Sequence, residues 1–469
     1  MRRLCLLILA LSAAVLAAQT PQPPDWARVE EETMRHFQAL LRFDTSDPPG
    51  TEIAAAEYLK KALEADGIAV QTFALEPARP NVVARLKGSG AKRPLLIMGH
   101  TDVVNVDPKK WTHPPFSATR EGGYVYGRGT VDDKDNVVAA LMVMLLLKRQ
   151  NVPLDRDVIF LAESGEEGST RVGIQYMVNQ HFPEIDAEFC LAEGGSVTRA
   201  GGRVKYASVQ TIEKIPRGIE LTARGPAGHG SVPLRSNAIL HLANAIGKVA
   251  AWKPPIRLND TTRAYFKRLA TISSPAEARR YLAVLGSDVK AASAADEYFL
   301  AHEPRHAAML RTSVSPNIIQ GGYRINVIPS EARATLDVRV HPDDDYLKVI
   351  EEVRKVIADP AIDAQWIPRD VRPGSGSARL DSDAVKAIES AIQKNYESLM
   401  LPTMSTGATD MAYLRAKGVQ CYGIGPAIDL EDGPKGYGAH SDQERILEEE
   451  LHRFVRFHYE VVMNLAGKS

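Results

Sequence analysis

Residues Val137 to Lys148 read VVAALMVMLLLK, an apolar run whose only charge is its last residue. A surface helix carries an apolar stripe on one side, whereas this segment is apolar all round and must be enclosed on every side. Short apolar runs stand before and after it: Pro94 to Met98, Val158 to Ala162 and Phe189 to Ala192. Runs of that length read as strands buried on both faces. The resulting β, α, β, β rhythm predicts an α/β fold with a central sheet between helical layers.

With 469 residues, the chain is longer than one compact domain usually grows, so two domains are expected. The pattern changes near residue 215. Ile219 to Arg224 and Ala332 to Val340 alternate apolar and polar residues, as strands with one solvated face do, and Asn237 to Ala251 and Tyr346 to Ala358 have helical spacing. Strands with two helices on one face predict an α+β domain of the ferredoxin-like type. Residues 255–312, charged and Ala-rich, read as a helical insertion. The α/β style resumes near 375, with helices at Ser382 to Tyr396 and Asp410 to Lys417, a strand at Val419 to Ile424 and a last helix from about Glu444. The expected organisation is a domain made of residues 25–214 and 372–469, interrupted by an inserted domain, 215–371.

The N-terminus has the form of a secretory signal peptide over residues 1–18: Arg2 and Arg3, an apolar run from Leu4 to Leu16, then small Ala17 and Ala18. The run is short for a transmembrane helix. Export to a periplasm or the exterior is therefore expected, with no stable membrane span after cleavage. Cys190 and Cys421 are too few for a disulfide scaffold. Balanced charge, 57 basic against 58 acidic residues, gives no reason to expect nucleic acid as a partner.

The residues that carry chemistry stand at the ends of the expected strands, where α/β proteins place their sites. They are His100 and Asp102 in Gly99-His100-Thr101-Asp102; Asp132 and Asp133 before the buried helix; Glu166 and Glu167 in Glu163-Ser-Gly-Glu-Glu-Gly168; Glu193; and His440 in Tyr437-Gly-Ala-His440. Each fragment alone is compatible with a structural role, such as a capped helix or a solvated acidic turn. Adjacent Glu166 and Glu167, however, repel unless a cation lies between them. Two His and several acids on one domain are ligands suited to zinc, and the excess of acids over His suggests two metals sharing a carboxylate.

In these motifs and their order the chain resembles the dinuclear-zinc metallopeptidases that include glutamate carboxypeptidase, carboxypeptidase S, succinyl-diaminopimelate desuccinylase, aminoacylase and carnosinase. The likeness runs from about Phe37 to the C-terminus. It implies a zinc-exopeptidase-like α/β catalytic domain with a mixed central sheet, and an inserted lid or dimerisation domain. It also implies two Zn²⁺ per chain, with Co²⁺ or Mn²⁺ as substitutes. His100 and Glu193 would hold one ion, Glu167 and His440 the other, and Asp132 both. Glu166 would be the general base and Asp102 the acid that orients His100. His229, in Gly228-His229-Gly-Ser-Val-Pro233, resembles an oxyanion-stabilising His that in many relatives comes from a partner subunit, so a homodimer through the inserted domain is an implied assembly. Arg339, Asn326, Gly407 and Thr409 match substrate-contact positions. Relatives usually carry Gly where this chain has Asp135. The implied activity is hydrolysis of an amide bond next to a free carboxylate, in a small peptide or an N-acyl amino acid. A non-catalytic homologue that only binds or dimerises is the alternative of another class, and the presence of Glu166 and of every ligand position argues against it.

Overall fold

Strand Leu95–His100 is buried along its whole length, and its side chains alternate between two apolar layers, as a pleated strand requires. Leu95 and Ile97 belong to the layer built by helices Trp26–Leu41, Ile53–Ala65, Lys134–Arg149, Asp383–Tyr396 and Glu448–Ala466. Leu96 and Met98 belong to the opposite layer, with helices Ile174–Gln180 and Met411–Ala416. The neighbouring strand Val158–Glu163 divides in the same way, Val158 and Phe160 to one side and Ile159 and Leu161 to the other. The sheet is thus sandwiched, and helix Lys134–Arg149 is buried from Lys134 through Leu147. This computed structural model describes residues 23–368, 372–374 and 376–468; the segment read as a signal peptide, 1–18, lies outside them.

The sheet has ten strands and mixed direction, in the order Val70–Phe73, Asn81–Leu86, Val158–Glu163, Leu95–His100, Phe189–Ala192, Gln420–Gly423, Arg203–Glu213, Ser196–Ala200 and Ala427–Asp429, with Met400–Ser405 also paired to Arg203–Glu213. Leu95–His100 is parallel to both of its neighbours, Val158–Glu163 and Phe189–Ala192, and Gln420–Gly423 is parallel to Phe189–Ala192. Parallel strands end on one edge, and His100 lies opposite Glu163 in register. Residues that follow these strands therefore open onto the same rim.

The inserted domain is a four-stranded antiparallel sheet in the order Ser313–Gly321, Glu331–Val340, Ile215–Arg224, Ile362–Trp366. Its chain order, strand, helix, strand, strand, helix, strand, is ferredoxin-like. Ala332, Ala334, Leu336, Val338 and Val340 pack with helices Ala238–Ala251 and Tyr346–Ile357. Arg333, Thr335, Asp337 and Arg339 alternate onto the other face.

Residues 255–312 are helical, in segments Asp260–Thr271, Pro275–Ala283, Val289–His302 and Pro304–Met309. Although this insertion lies within residues 215–371, its aromatic side chains Tyr265, Phe266 and Phe299 share a core with Ile212, Leu401 and Met404 of the large sheet. Its packing partner is the large sheet, where Ile212, Leu401 and Met404 offer a complementary apolar surface.

Candidate metal centre and active site

His100 ends its strand almost fully buried. Its Nδ1 faces the Asp102 backbone carbonyl at 3.0 Å and Asp102 Oδ1 at 3.5 Å. Its Nε2 faces Asp132 Oδ1 at 3.2 Å and Glu193 Oε2 at 4.0 Å. The second oxygen of Asp132 faces His440 Nε2 at 3.1 Å, and that nitrogen also lies 2.9 Å from Glu167 Oε1. Each carboxylate oxygen of Asp132 thus addresses a different imidazole. All five residues expected to hold metal converge, with Asp132 between two donor groups.

Three carboxylates set this geometry, and each holds a loop by its backbone. Asp102 accepts hydrogen bonds from the N–H groups of Gly165 (2.8 Å), Glu166 (3.2 Å) and Glu167 (2.9 Å). It therefore fixes the turn that presents both glutamates, besides facing His100. Glu444 accepts from Arg128 Nη1 (2.7 Å), Gly129 N (3.1 Å) and Val131 N (2.8 Å). Arg128 Nη2 also donates to Ser441 O at 2.6 Å. The loop after His440 is so tied to the loop before Asp132. Asp133 accepts from His100 N at 3.1 Å.

Behind the Glu166–Glu167 turn, Arg79 bridges Asp47 (2.6 Å) and Glu52 (2.5 Å), all three buried. Asp47, Glu52 and Asp102 have oxygens close enough to share a cation, but the Arg79 guanidinium already pairs with two of them. Gly168 lies directly on Asp47: a Cβ there would come within 2.2 Å of the carboxylate, so the turn closes onto this support only with glycine.

The electrostatics describe a site short of positive charge. Glu166 is pushed up to about 8 by burial, against the pull of Arg372. Glu193 is raised by burial and by Glu166. Burial alone would discharge His100, but the hydrogen bonds it donates to the Asp102 and Asp132 carboxylates raise it well above its ordinary value. His440 is raised to about 10 by Asp132 and then Glu167. Carboxylates crowded so closely that they resist ionisation, beside imidazoles that they hold protonated, form a site whose charge suits a cation. The donor set fits divalent metal. Ligand atoms about 2.0–2.2 Å from one tetrahedral ion lie about 3.3–3.6 Å apart, and the donor separations here run from 2.9 to 4.0 Å.

The centre opens into a cavity of about 750 Å³, lined by Asp132, Glu166, Glu167, Glu193 and His440 on the sheet rim and by Pro216 and Arg339 on the inserted domain. Gly407 is on its wall. Thr409 is not part of the lining: it is buried, and its N–H and hydroxyl donate to Glu213 at 2.9 and 2.7 Å. His229 and Asn326 are exposed and lie outside the cavity of their own chain. They sit together on a small ribbon, where His229 pairs with Val327 and its Nδ1 faces Ser231 Oγ at 2.7 Å. Arg372 was not visible to sequence reasoning. It lines the cavity and pairs with Glu166 Oε1 at 2.5 Å and Asp410 Oδ1 at 3.5 Å.

The family model described as Peptidase family M20/M25/M40 matches residues 96–464. A probable carboxypeptidase S-like protein of Dictyostelium discoideum is 29% identical over 79% of this chain and 72% of its own. The human N-fatty-acyl-amino acid synthase/hydrolase PM20D1 is 26% identical over 79% and 74%. Among solved structures, an M20 family metallo-carboxypeptidase of Sulfolobus solfataricus superimposes with a TM-score of 0.70 at 22% identity, covering 92% of this chain and 98% of that one.

Proposed function

We propose, from the premise that this chain belongs to peptidase family M20/M25/M40 and is a hydrolase, that it is an exported two-zinc enzyme cleaving an amide bond beside a free carboxylate. The observation that carries the reading is Asp132, whose two oxygens face His100 Nε2 at 3.2 Å and His440 Nε2 at 3.1 Å. A carboxylate so placed suits a bridge between two ions, with His100 and Glu193 on one side and Glu167 and His440 on the other. When bound, two divalent ions supply Lewis acidity and an acidified water.

The chain's own residues do the rest. Glu166 has a carboxylate oxygen within 4.8 Å of donor atoms of His100 and Glu193, so it is placed to take a proton from the attacking water and deliver it to the leaving amine. Asp102 keeps that glutamate in place through the backbone of residues 165–167. Arg339 offers a planar guanidinium from the lid wall for the substrate carboxylate.

A peptide losing its C-terminal residue and an N-acyl amino acid share this bond and this carboxylate, and the two curated relatives carry names from the two classes. The deciding experiment is a hydrolysis screen of dipeptides against N-acyl amino acids with Zn²⁺ supplied, alongside elemental analysis. Close to two metal ions per chain and chelator-sensitive hydrolysis of either class support the reading. Metal-free protein with chelator-indifferent activity overturns it.

Two further features belong to this reading. The basic and apolar leader, residues 1–18, supports export. The lid's outer strand Ser313–Gly321 is exposed along most of its length, with Ile318 and Ile319 more than half exposed and Tyr323 and Ile325 just beyond. An apolar, unpaired edge supports pairing with a second copy, and the exposed His229 would then be available to that copy's site.

A further inference from the structure

Lys214 stands where the chain leaves strand Arg203–Glu213 of the large sheet and enters strand Ile215–Arg224 of the lid. Its backbone N–H donates to Ser405 O at 3.0 Å, just before the loop that carries Gly407 to the cavity. Its ammonium donates to Ser313 Oγ at 3.1 Å on the lid's outer strand. The side chain is among the largest fully buried ones in the protein, and among the described residues its hydrogen-bond partner is a hydroxyl, not a carboxylate. A buried charge without a paired counter-charge is costly, so its position calls for a reason.

That position is the back of the cavity's lid wall. Lys214 stands two residues before Pro216, at the junction of the two strands. Pro216 lies opposite Arg339 in one strand pair, and Ser313 lies opposite Arg339 in the other. Pro216 and Arg339 both line the cavity. Arg339 is already matched by Asp337, at 3.0 and 3.1 Å. The remaining charges around Lys214 are largely engaged as well. Arg311 pairs with Asp296. Asp344 accepts from Arg257 (2.8 Å) and Thr312 (2.7 Å). His341, buried beside them, is pushed down to about 4 and adds no charge near neutral pH. Among the described residues around Ser313 and Arg339, Lys214 is the cation whose side-chain hydrogen bond goes to a hydroxyl and not to a carboxylate.

We propose that Lys214 is a positioning residue for the substrate carboxylate, its ammonium acting through Ser313 and Arg339 to make the lid wall net positive where the carboxylate docks. The inference rests on the function proposed above. It also makes docking proton-linked. Burial first, then Arg339 and Arg311, push the Lys214 ammonium down to about 7, against Asp344 and Asp337. It therefore releases its proton far more readily than an ordinary lysine, and an arriving carboxylate favours the protonated form.

The test uses the metal-loaded full chain and one substrate in two forms, the free acid and its carboxyl methyl ester. For Lys214→Met, KM for the free acid rises about tenfold while KM for the ester stays within about twofold, as loss of one unit charge near the docking point requires. Lys214→Arg, which keeps the charge, restores KM for the acid. In the wild type the acid-to-ester KM ratio rises between about pH 6 and about pH 8.5, where a lysine titrating near 7 loses its proton, and that slope is missing in Lys214→Met. Equal changes for acid and ester, or none for either, overturn the inference while leaving the function standing. A wild type that does not prefer the acid overturns the function and the inference together. If Lys214→Met does not fold, the wild-type pH profile decides alone: a flat ratio overturns the inference.

Discussion

The sheet rim and the lid wall face one cavity and are built on opposite plans. On the rim, His100, Asp132, Glu167, Glu193 and His440 already lie within reach of one another. Buried carboxylates hold the loops that carry them, Asp102 gripping residues 165–167 and Glu444 gripping residues 129–131. On the lid, Arg339 faces the cavity while His229 and Asn326 stand on an exposed ribbon. The chemical half is organised by its own backbone hydrogen bonds, so its geometry is fixed before substrate arrives. The lid half is an edge of an inserted domain, and its contribution to the cavity depends on where that domain sits.

The largest effect expected on the rim is chemical. Glu166→Gln removes the base but keeps the size of the side chain, and kcat falls by about 10²- to 10⁴-fold with metal content unchanged. Near-normal turnover by this variant would remove Glu166 from the mechanism and direct attention to buried Glu163. Next comes the support beneath the turn. Arg79→Met strands Asp47 and Glu52 in the interior without a counter-charge, at a cost of about 3–5 kcal/mol. On the lid, Arg333→Ala breaks pairs to Glu220 and Glu331 that lie in solvent, and solvent screening leaves little to lose. Denaturation midpoints of the two variants measure the contrast, and equal midpoints would erase it.

Much of the rim was legible because its residues follow strands whose apolar runs are short and uninterrupted; His100, Glu166, Glu167 and Glu193 all follow such runs. Glu331–Val340 was legible for the opposite reason, its strict alternation. Of the ten strands of the large sheet, four follow such apolar runs and six were missed, among them two that pair with each other. Arg203–Glu213 mixes charges into its first half and pairs with Met400–Ser405, far away in sequence. Met400–Ser405 contains Pro402, which reads as a strand breaker. Arg372 lies in a Pro- and Gly-containing stretch that reads as a linker, and its partner Glu166 is 206 residues away. Thr409 matched a substrate loop by motif, but no local pattern shows that Glu213 takes its hydroxyl.

The lid yields the next effect. His229→Ala lowers kcat about 10²- to 10³-fold if the imidazole stabilises an oxyanion, although in its own chain it lies outside the cavity. If two copies pair along the outer strand, charge placed there, Ile319→Lys, reproduces part of that loss. Mixing inactive Glu166→Gln chains with inactive His229→Ala chains restores part of the activity, because a hybrid dimer holds one intact base opposite one intact His. Activity that tracks neither dimer content nor mixing would mean that His229 has no role across subunits, and that the lid is no less self-contained than the rim.

The smallest effect tests how the rim behaves before its cations arrive. His440 is the most exposed of the metal-facing residues, with 56% of its side chain in solvent, yet Asp132 and then Glu167 raise it to about 10. A metal takes the neutral imidazole, so each ion captured there must displace this proton. The folded value lies above the unfolded one. The proton therefore stabilises the metal-free protein fully below about pH 6.5, and that contribution is lost as pH rises through about 10. Metal and proton compete for one nitrogen, so affinity at this position weakens about tenfold for each pH unit below that value. Calorimetric Zn²⁺ titration of metal-free protein, in two buffers of different ionisation heat, counts the protons released. His440→Ala should lose one metal and one released proton while the ion held by His100 and Glu193 remains. Metal uptake indifferent to pH between about 6 and 8 would show that His440 is neutral in the empty site, and that Asp132 and Glu167 do not hold it as the distances of 3.1 and 2.9 Å imply.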